Sequence, residues 1–451
     1  MVKGKVLRFA KDPKKALFTL AWPILVAMFV QAMYNIVDTA FVGRLGAEAI
    51  AALTFAFPLF FIFIAINSGI GAGISSKISR LVGSDKYKAA ENASVHGIGI
   101  SLFLGVILFV IGYPFIDPVF SLLGASEAVL ELSIDYMSII LLGVFFIFPL
   151  FAINNIFIGQ GDTKTPMKIQ VATLLLNIIL DPIFIYILGF GVKGAAIATV
   201  SSFAAGVIMS VYYLRHAQIR PRMESFKFSC RVCWDIMKVG APASLTMLVM
   251  SFYFMAINRI MVYFGTDYVA AFGVASRLES LAVMPVVAFS ISLLTLTGMF
   301  YGAKKHYLLK STIKYAVKVG VLITSLVGAL FFIAPSLFMR IFTADISLIY
   351  IGASYIRVNV FSFPLIAVGM MIGRALQGMG YGVPSLVINL VRVFIVAIPL
   401  ASLFVFYLGL GYLSIAAAMI LGGLASSSLA VAWITLTLRR LNSKHSRQKA
   451  R

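Results

Sequence analysis

Asp38 and Asp181 each place a carboxylic acid inside a long apolar stretch, where a charge is costly and needs a partner or a purpose. In the first stretch Gln31, Asn35 and Asp38 follow at spacings of four and three, so all three share one helical face. Asn177 and Asp181 are four apart and share a face as well. Pro182 has no N–H to donate, which frees the carbonyl of Ile178 as a further acceptor one turn from the acid. Two carboxylates brought together in low dielectric would not both stay charged without a cation. Such a group binds either a proton or a hard cation such as Na⁺, through carboxylate, amide and hydroxyl oxygens. The structural alternative is that both acids cap kinked helices or bond to Asn and Tyr side chains.

Other reactive residue types offer less. His96, His216, His306 and His445 fall at the ends of apolar stretches or in the tail, with no spacing that converges on a metal. Cys230 and Cys233 form a lone C-x-x-C without a second pair or a His partner, which reads as two free thiols. Asn92-Ala93-Ser94 is a chance sequon. No HExxH, GxSxG or GxxxxGK[ST] pattern is present, so a metalloprotease, a serine hydrolase and an ATP-driven pump are not supported, and no enzyme is expected.

The elements that must position these residues follow from composition. Of 451 residues 61% are hydrophobic and 12% charged, against about 25% charged in ordinary soluble domains. Mean hydropathy is +1.01. Hydropathy predicts an all-α polytopic membrane protein with twelve helices, near 16–43, 50–76, 93–114, 133–158, 168–189, 194–214, 237–264, 269–299, 313–334, 352–374, 384–408 and 411–438. Asp12-Pro13 supplies the N-cap and first position of the first helix. A net charge of +21 would suggest nucleic acid on a soluble chain. Here the basic residues collect at alternate connections (Lys3 to Lys15, Lys77 to Lys88, Lys164 and Lys168, Arg215 to Lys238, Lys304 to Lys318, Arg374, Arg439 to Arg451), which places both termini in the cytoplasm of a plasma-membrane protein.

That topology fixes depth, at about 1.5 Å of rise per residue. Asp38 lies five residues before Gly43, Asp181 eight before Gly189 and Thr199 five after Gly194, so three helices carry polar oxygens about 8–12 Å from the outer face. Tyr136, near the outer start of the fourth, can join them. The chain also repeats. Pro23 and Pro242 stand 219 residues apart, and the same offset pairs Tyr34 with Tyr253, Gly46 with Gly265, Tyr136 with Tyr355 and Gly161 with Gly380. Near the fourth helix the register drifts, with Phe148 matching Phe363 and Gln160-Gly161 matching Gln377-Gly378. Two parallel halves of six helices follow. Boundaries at 1–214, 215–236 (linker), 237–438 and 439–451 (basic tail) divide the chain. Neither acid has a counterpart, since Ile257 and Leu400 stand at the paired positions.

Val37 to Leu53 (VDTAFVGRLGAEAIAAL), Gly159 to Pro166 (GQGDTKTP), Leu176 to Pro182 (LNIILDP) and Gly191 to Val200 (GVKGAAIATV) resemble the multidrug and toxic compound extrusion (MATE) family, closest to the branch with archaeal and DNA-damage-inducible members. The likeness covers essentially the whole chain. It implies two six-helix bundles forming a V around a central cleft, and a cation-coupled exporter of amphipathic, often cationic, drugs or toxic metabolites. The family's cation site in the amino-terminal half falls on Asp38, Asn177, Asp181 and Thr199. Cation entry from outside would neutralise that cluster, bend the first helix at Pro23 and release substrate. The same carboxylates serve Na⁺ or H⁺, and no other cofactor is expected.

Substrate contacts are less legible. Gln31, Asn35, Asn154 and Asn155 are polar within the helices, and Met28 and Met33 offer adaptable apolar surface, although packing explains each of them equally well. Expected partners are small molecules and membrane lipids, without nucleic acid, and a monomer would suffice. Glu279 is expected to pair with Arg259, Arg277, Arg357 or Arg392. Those basic residues keep a lipid-linked oligosaccharide flippase as the alternative function.

Overall fold

A computed structural model describes residues 3–221 and 226–449. Linker residues 222–225, the chain ends at 1, 2, 450 and 451, and the side chains of residues 3–5, 442 and 444–449, His445 among them, lie outside the described residues. Every regular element among the described residues is helical. After a short helix, Lys3–Lys11, the membrane helices are α1 (Pro13–Gly43), α2 (Ala47–Gly83), α3 (Tyr87–Leu122), α4 (Glu127–Gly159), α5 (Lys164–Ile187), α6 (Gly191–Arg215), α7 (Cys230–Phe264), α8 (Thr266–Gly302), α9 (His306–Ile333), α10 (Ile346–Asn359 with Ser362–Gly378), α11 (Val383–Tyr407) and α12 (Leu413–Leu441). Eleven are single helices long and apolar enough to cross a membrane. The twelfth, α10, is two helices meeting at 55°. Hydropathy gave no sign of that break. Pro364 lies just beyond it, and a proline cannot bond back to the preceding turn and crowds it.

Local chemistry explains the ends. Asp12 Oδ1 accepts the N–H of Lys15 at 3.0 Å, which makes it the N-cap of α1, with Pro13 at the first helical position. At the start of α5 one oxygen of Asp162 accepts the N–H groups of Lys164 and Thr165, both at 3.1 Å, and the other accepts the Thr165 hydroxyl at 2.7 Å. Gly161, with φ 72°, takes the left-handed turn that precedes this cap. The GQGDTKTP motif is thus a helix stop and restart.

The chain forms two compact units, one of residues Trp22–Ala241 and the other of Lys3–Ala21 with Pro242–Arg451. The divisions cut through α1 and α7 beside Pro23 and Pro242, rather than through the linker as hydropathy suggested. The reason is local bonding: linker and early α7 residues are tied into the first unit. Lys77 and Lys238 both bind the Asp235 carboxylate at 2.6 Å, and Asn92 exchanges two hydrogen bonds with the Lys227 backbone. In the second unit, residues before Pro23 pack against α8 and α9, with Phe18 edge-on to Phe289 and Lys14 over the Tyr315 ring.

Each unit is organised around its fourth helix. In the first, α4 packs on α2, α3 and α6; in the second, α10 packs on α8, α9 and α12. The repeat holds at backbone level: Gly46 and Gly265 both have φ 121°, and Asp85 and Lys304 have φ 58° and 55°. Asp345 is an N-cap where Ser126 is, again 219 residues on. The helices carrying Gly159 and Gly378 end alike, and Gly161 and Gly380 (φ 95°) both turn left-handed, so Gln160-Gly161 corresponds to Met379-Gly380. The apparent drift to Gln377-Gly378 is therefore not a real shift, and Pro149 and Pro364 simply sit about one turn apart on equivalent helices. By the end of α5 the offset becomes 220, since Ile183–Ile187 and Leu403–Tyr407 are the matching π-helical turns.

Gly159 touches Ser75 and Ile78, and Gly378 touches Leu294 and Thr297, pairs that again differ by 219. Small residues let the helix backbones approach this closely. A Cβ on Gly378 would run into the Leu294 carbonyl, whereas one on Gly273 meets nothing within 4 Å. Gly378→Ala should therefore destabilise the protein by about 1–3 kcal/mol, and Gly273→Ala should be nearly neutral. Thermal loss of the monodisperse peak of detergent-solubilised protein measures both.

Candidate functional site

Four helices of the first unit bring the predicted cluster together. Asp38 lies on α1, Tyr136 on α4, Asn177 and Asp181 on α5 and Thr199 on α6, all with 9% exposure or less. Asn177 Nδ2 donates to Asp181 Oδ1 at 3.0 Å, which fixes both side chains across one helical turn. Immediately beyond, Pro182 is followed by the π-helical turn Ile183–Ile187, a local rearrangement of the hydrogen-bond ladder around the acid. The charge of Asp38 acts on Asp181, and both acids act on Tyr136.

Among the described residues three oxygens in this cluster have no hydrogen-bond partner: Asp38 Oδ1, Asn177 Oδ1 and Asp181 Oδ2. Buried acceptors left unpaired are costly, each by roughly 1–3 kcal/mol. A proton shared between carboxylates would satisfy part of this set. A hard cation, taking oxygen ligands from all three side chains, would satisfy it more fully. Among the described residues no group of three or more His, Cys, Asp or Glu side chains gathers.

Tyr34 belongs to the same cluster and was not singled out from the sequence. Its hydroxyl donates to Thr199 Oγ1 at 3.1 Å, its ring stacks on Phe203 at 6.0 Å, and it feels both acids. The available signal was its spacing of four from Asp38, which puts both on one face. The face expected for Gln31, Asn35 and Asp38 is split: Asp38 is buried, Asn35 is exposed and Gln31 is half-buried, its Oε1 accepting from Gln170 at 2.8 Å.

The other substrate candidates scatter. Met33 is 46% exposed and Met28 half-buried, while Asn154 keeps an unpartnered Oδ1. Asn155 holds α4 to α2, accepting the Ser75 hydroxyl on both its backbone and side-chain oxygens. Pro23 is buried within the unbroken helix α1. Cys230 and Cys233 are free thiols, and Asn92 is committed to Lys227.

The second unit lacks this cluster. Asp38 is matched by the fully buried Ile257, Asp181 by Leu400 or Ala401, and Thr199 by Met419, while Tyr253 and Tyr355 remain. Tyr355 donates to Met419 Sδ at 2.9 Å, so a thioether stands where the hydroxyl was. Glu279 accepts from Asn359 at 3.2 Å. Among the described residues no arginine lies within ion-pair distance of it. Of the four arginines considered, Arg392 is the one whose charge reaches it, and that guanidinium meets Met250 Sδ at 2.7 Å.

Twelve helices of membrane-spanning length in two six-helix repeats, with two acids buried in one, are an arrangement suited to a membrane transporter. The family model described as MatE matches residues 23–183 and again 242–403, and the chain belongs to that family. It is 31% identical over 399 residues to a FAD transporter of Shewanella oneidensis, covering 86% of this chain and 87% of that one. The multidrug export protein MepA of Staphylococcus aureus is 26% identical over 379 residues, covering 83% and 84%. Among solved structures, a MATE protein in its bent conformation superposes with a TM-score of 0.94 at 32% identity, over 98% of this chain and 99% of that one. A MOP superfamily transporter from Pyrococcus furiosus gives 0.90 at 33% identity, over 96% and 97%. These relationships do not favour the flippase alternative.

The two neutral candidates, Asn177 and Thr199, give a graded prediction. Asn177→Ala and Thr199→Ala each remove one uncharged oxygen, worth about 1–2 kcal/mol, or roughly tenfold in apparent ion affinity. Maximal rate should change little. Transport against ion concentration measures this, and a defect that high ion concentration fails to restore would exclude ligation.

Proposed function

We propose that this protein is a secondary active multidrug exporter that exchanges amphipathic, often cationic, compounds for Na⁺ or H⁺ by alternating access. The observation that supports it most is the trio of unpartnered oxygens on Asp38, Asn177 and Asp181, inside a family whose relatives include named multidrug exporters. Tyr34, Tyr136 and Thr199 complete the ion site. Ion entry neutralises the cluster and removes the field that holds a cationic substrate. Pro23, which cannot bond to the carbonyl four residues back, provides a compliant point in α1. Gln31, Asn35, Asn154, Met28 and Met33 are the substrate-facing candidates.

Dye uptake into inverted vesicles under imposed Na⁺ and pH gradients, applied in turn, tests the coupling. The Shewanella relative makes FAD a second substrate to run in parallel. Uptake driven by neither gradient would refute antiport. The basic residues at alternate connections support a cytoplasmic location for both termini. Cys230, which is exposed, should then react with an impermeant maleimide in inverted vesicles but not in intact cells.

A further inference from the structure

The first unit contains a groove of about 1200 Å³ between α3, α4, α6, the linker residues Arg220, Pro221, Phe226 and Phe228, and the start of α7. Along α3 it runs from Val95 to Leu104, and along α6 from Val207 to Arg215, roughly 12–14 Å of helix axis. Its wall is apolar through that length. Leu102, Phe103 and Val211 expose 39%, 65% and 38% of their surface, and on membrane helices such faces look to hydrocarbon. At one end stand Arg215 and Arg220, and among the described residues no acidic side chain lines the groove.

The charged end is held in place relative to the trough. Gln160 exchanges hydrogen bonds with the Ile219 backbone at 3.3 and 3.4 Å, next to Arg220, whose Nε donates to the Ala217 carbonyl at 3.1 Å. His96 accepts the Ser229 N–H at 2.9 Å, and its ring lies 5.0 and 5.8 Å from those of Phe226 and Phe228. Two guanidinium groups at the mouth of an apolar trough call for a ligand with a phosphate-like anion at one end and a long hydrocarbon chain behind it.

We propose that this groove binds one acidic phospholipid from the adjoining leaflet, with its phosphate at Arg215 and Arg220 and an acyl chain along Phe103, Val207 and Val211. A zwitterionic phospholipid brings a positive headgroup against the two arginines and fits less well. The proposal rests on reading these helices as membrane spans and does not depend on ion coupling.

The test uses the full-length protein in phosphatidylcholine proteoliposomes, each carrying a trace of phosphatidylglycerol or phosphatidylcholine with a photoreactive acyl chain. Cross-linked peptides are mapped by mass spectrometry. The phosphatidylglycerol probe should mark residues 98–104 and 207–211 about fivefold or more over the phosphatidylcholine probe, and R215Q/R220Q should remove that preference. Equal labelling of the wild type, or a preference that survives in the double variant, overturns the site. Should the double variant fail to fold, competition in the wild type decides: unlabelled phosphatidylglycerol must suppress the labelling, and equal suppression by phosphatidylcholine refutes the proposal. Dye export measured in the same proteoliposomes separates this outcome from the export reading, since labelling without gradient-driven export sinks only the latter.

Discussion

Asp38→Asn should abolish gradient-driven export while the protein still folds and inserts. Asparagine nearly keeps the shape of the side chain, so packing around Tyr34 and Thr199 survives. It cannot take up and release a charge, and it turns one buried acceptor into a donor in a cluster that already has Asn177 Nδ2 as a donor and three oxygens short of partners. An ion that bridges two carboxylates loses half its charge compensation. Reconstituted vesicles should show dye movement no greater than in the absence of a gradient, with a normal elution profile. Wild-type export by a well-folded Asp38→Asn protein would remove this residue from the coupling mechanism.

Asp181→Asn should be nearly as severe, whereas Glu279→Gln should keep the ion dependence of transport. Asp181 is fully buried, shares a turn with Asn177 and interacts with Asp38, so its charge belongs to the same exchange. Glu279 is also enclosed, but it lies in the other unit with an amide partner, and the positions equivalent to Asp38 and Asp181 there are aliphatic. Gln can still accept from Asn359, so the expected cost is in expression, through the opposing charge of Arg392 left without its counterpart. Comparing transport against ion concentration for the two variants decides. Loss of ion dependence in well-folded Glu279→Gln, with retention in Asp181→Asn, would move coupling to the second unit.

Much of the fold was legible because a bilayer forces local rules on the chain. Backbone groups in hydrocarbon must bond within their own helix, so long apolar runs identify the helices, and the repeat at 219 residues showed that two bundles share one plan. Asp38 and Asp181 stood out for the same reason, since an acid in such a run is costly. Constant helical rise set Thr199 and Tyr136 at a depth similar to that of the two acids.

Which faces meet is another matter, because periodicity gives a helix its faces but not the angle at which it is set against its neighbours. Tyr34 rather than Asn35 turns towards Thr199, although both are polar and adjacent in sequence. Glu279 meets Asn359 rather than an arginine, and the bend in α10 depends on how its two halves pack. The linker looked like a boundary because it is basic and polar. Only in three dimensions do Asn92, His96 and Gln160 bind it to the first unit, while the unit divisions fall beside Pro23 and Pro242. The sequence by itself determined the helices, their repeat and the two acids, which depend on hydrophobicity and spacing along one chain. Tertiary structure decided the partners, because a hydrogen bond across 165 residues, such as Tyr34 to Thr199, depends on helix rotation and packing that no local pattern encodes.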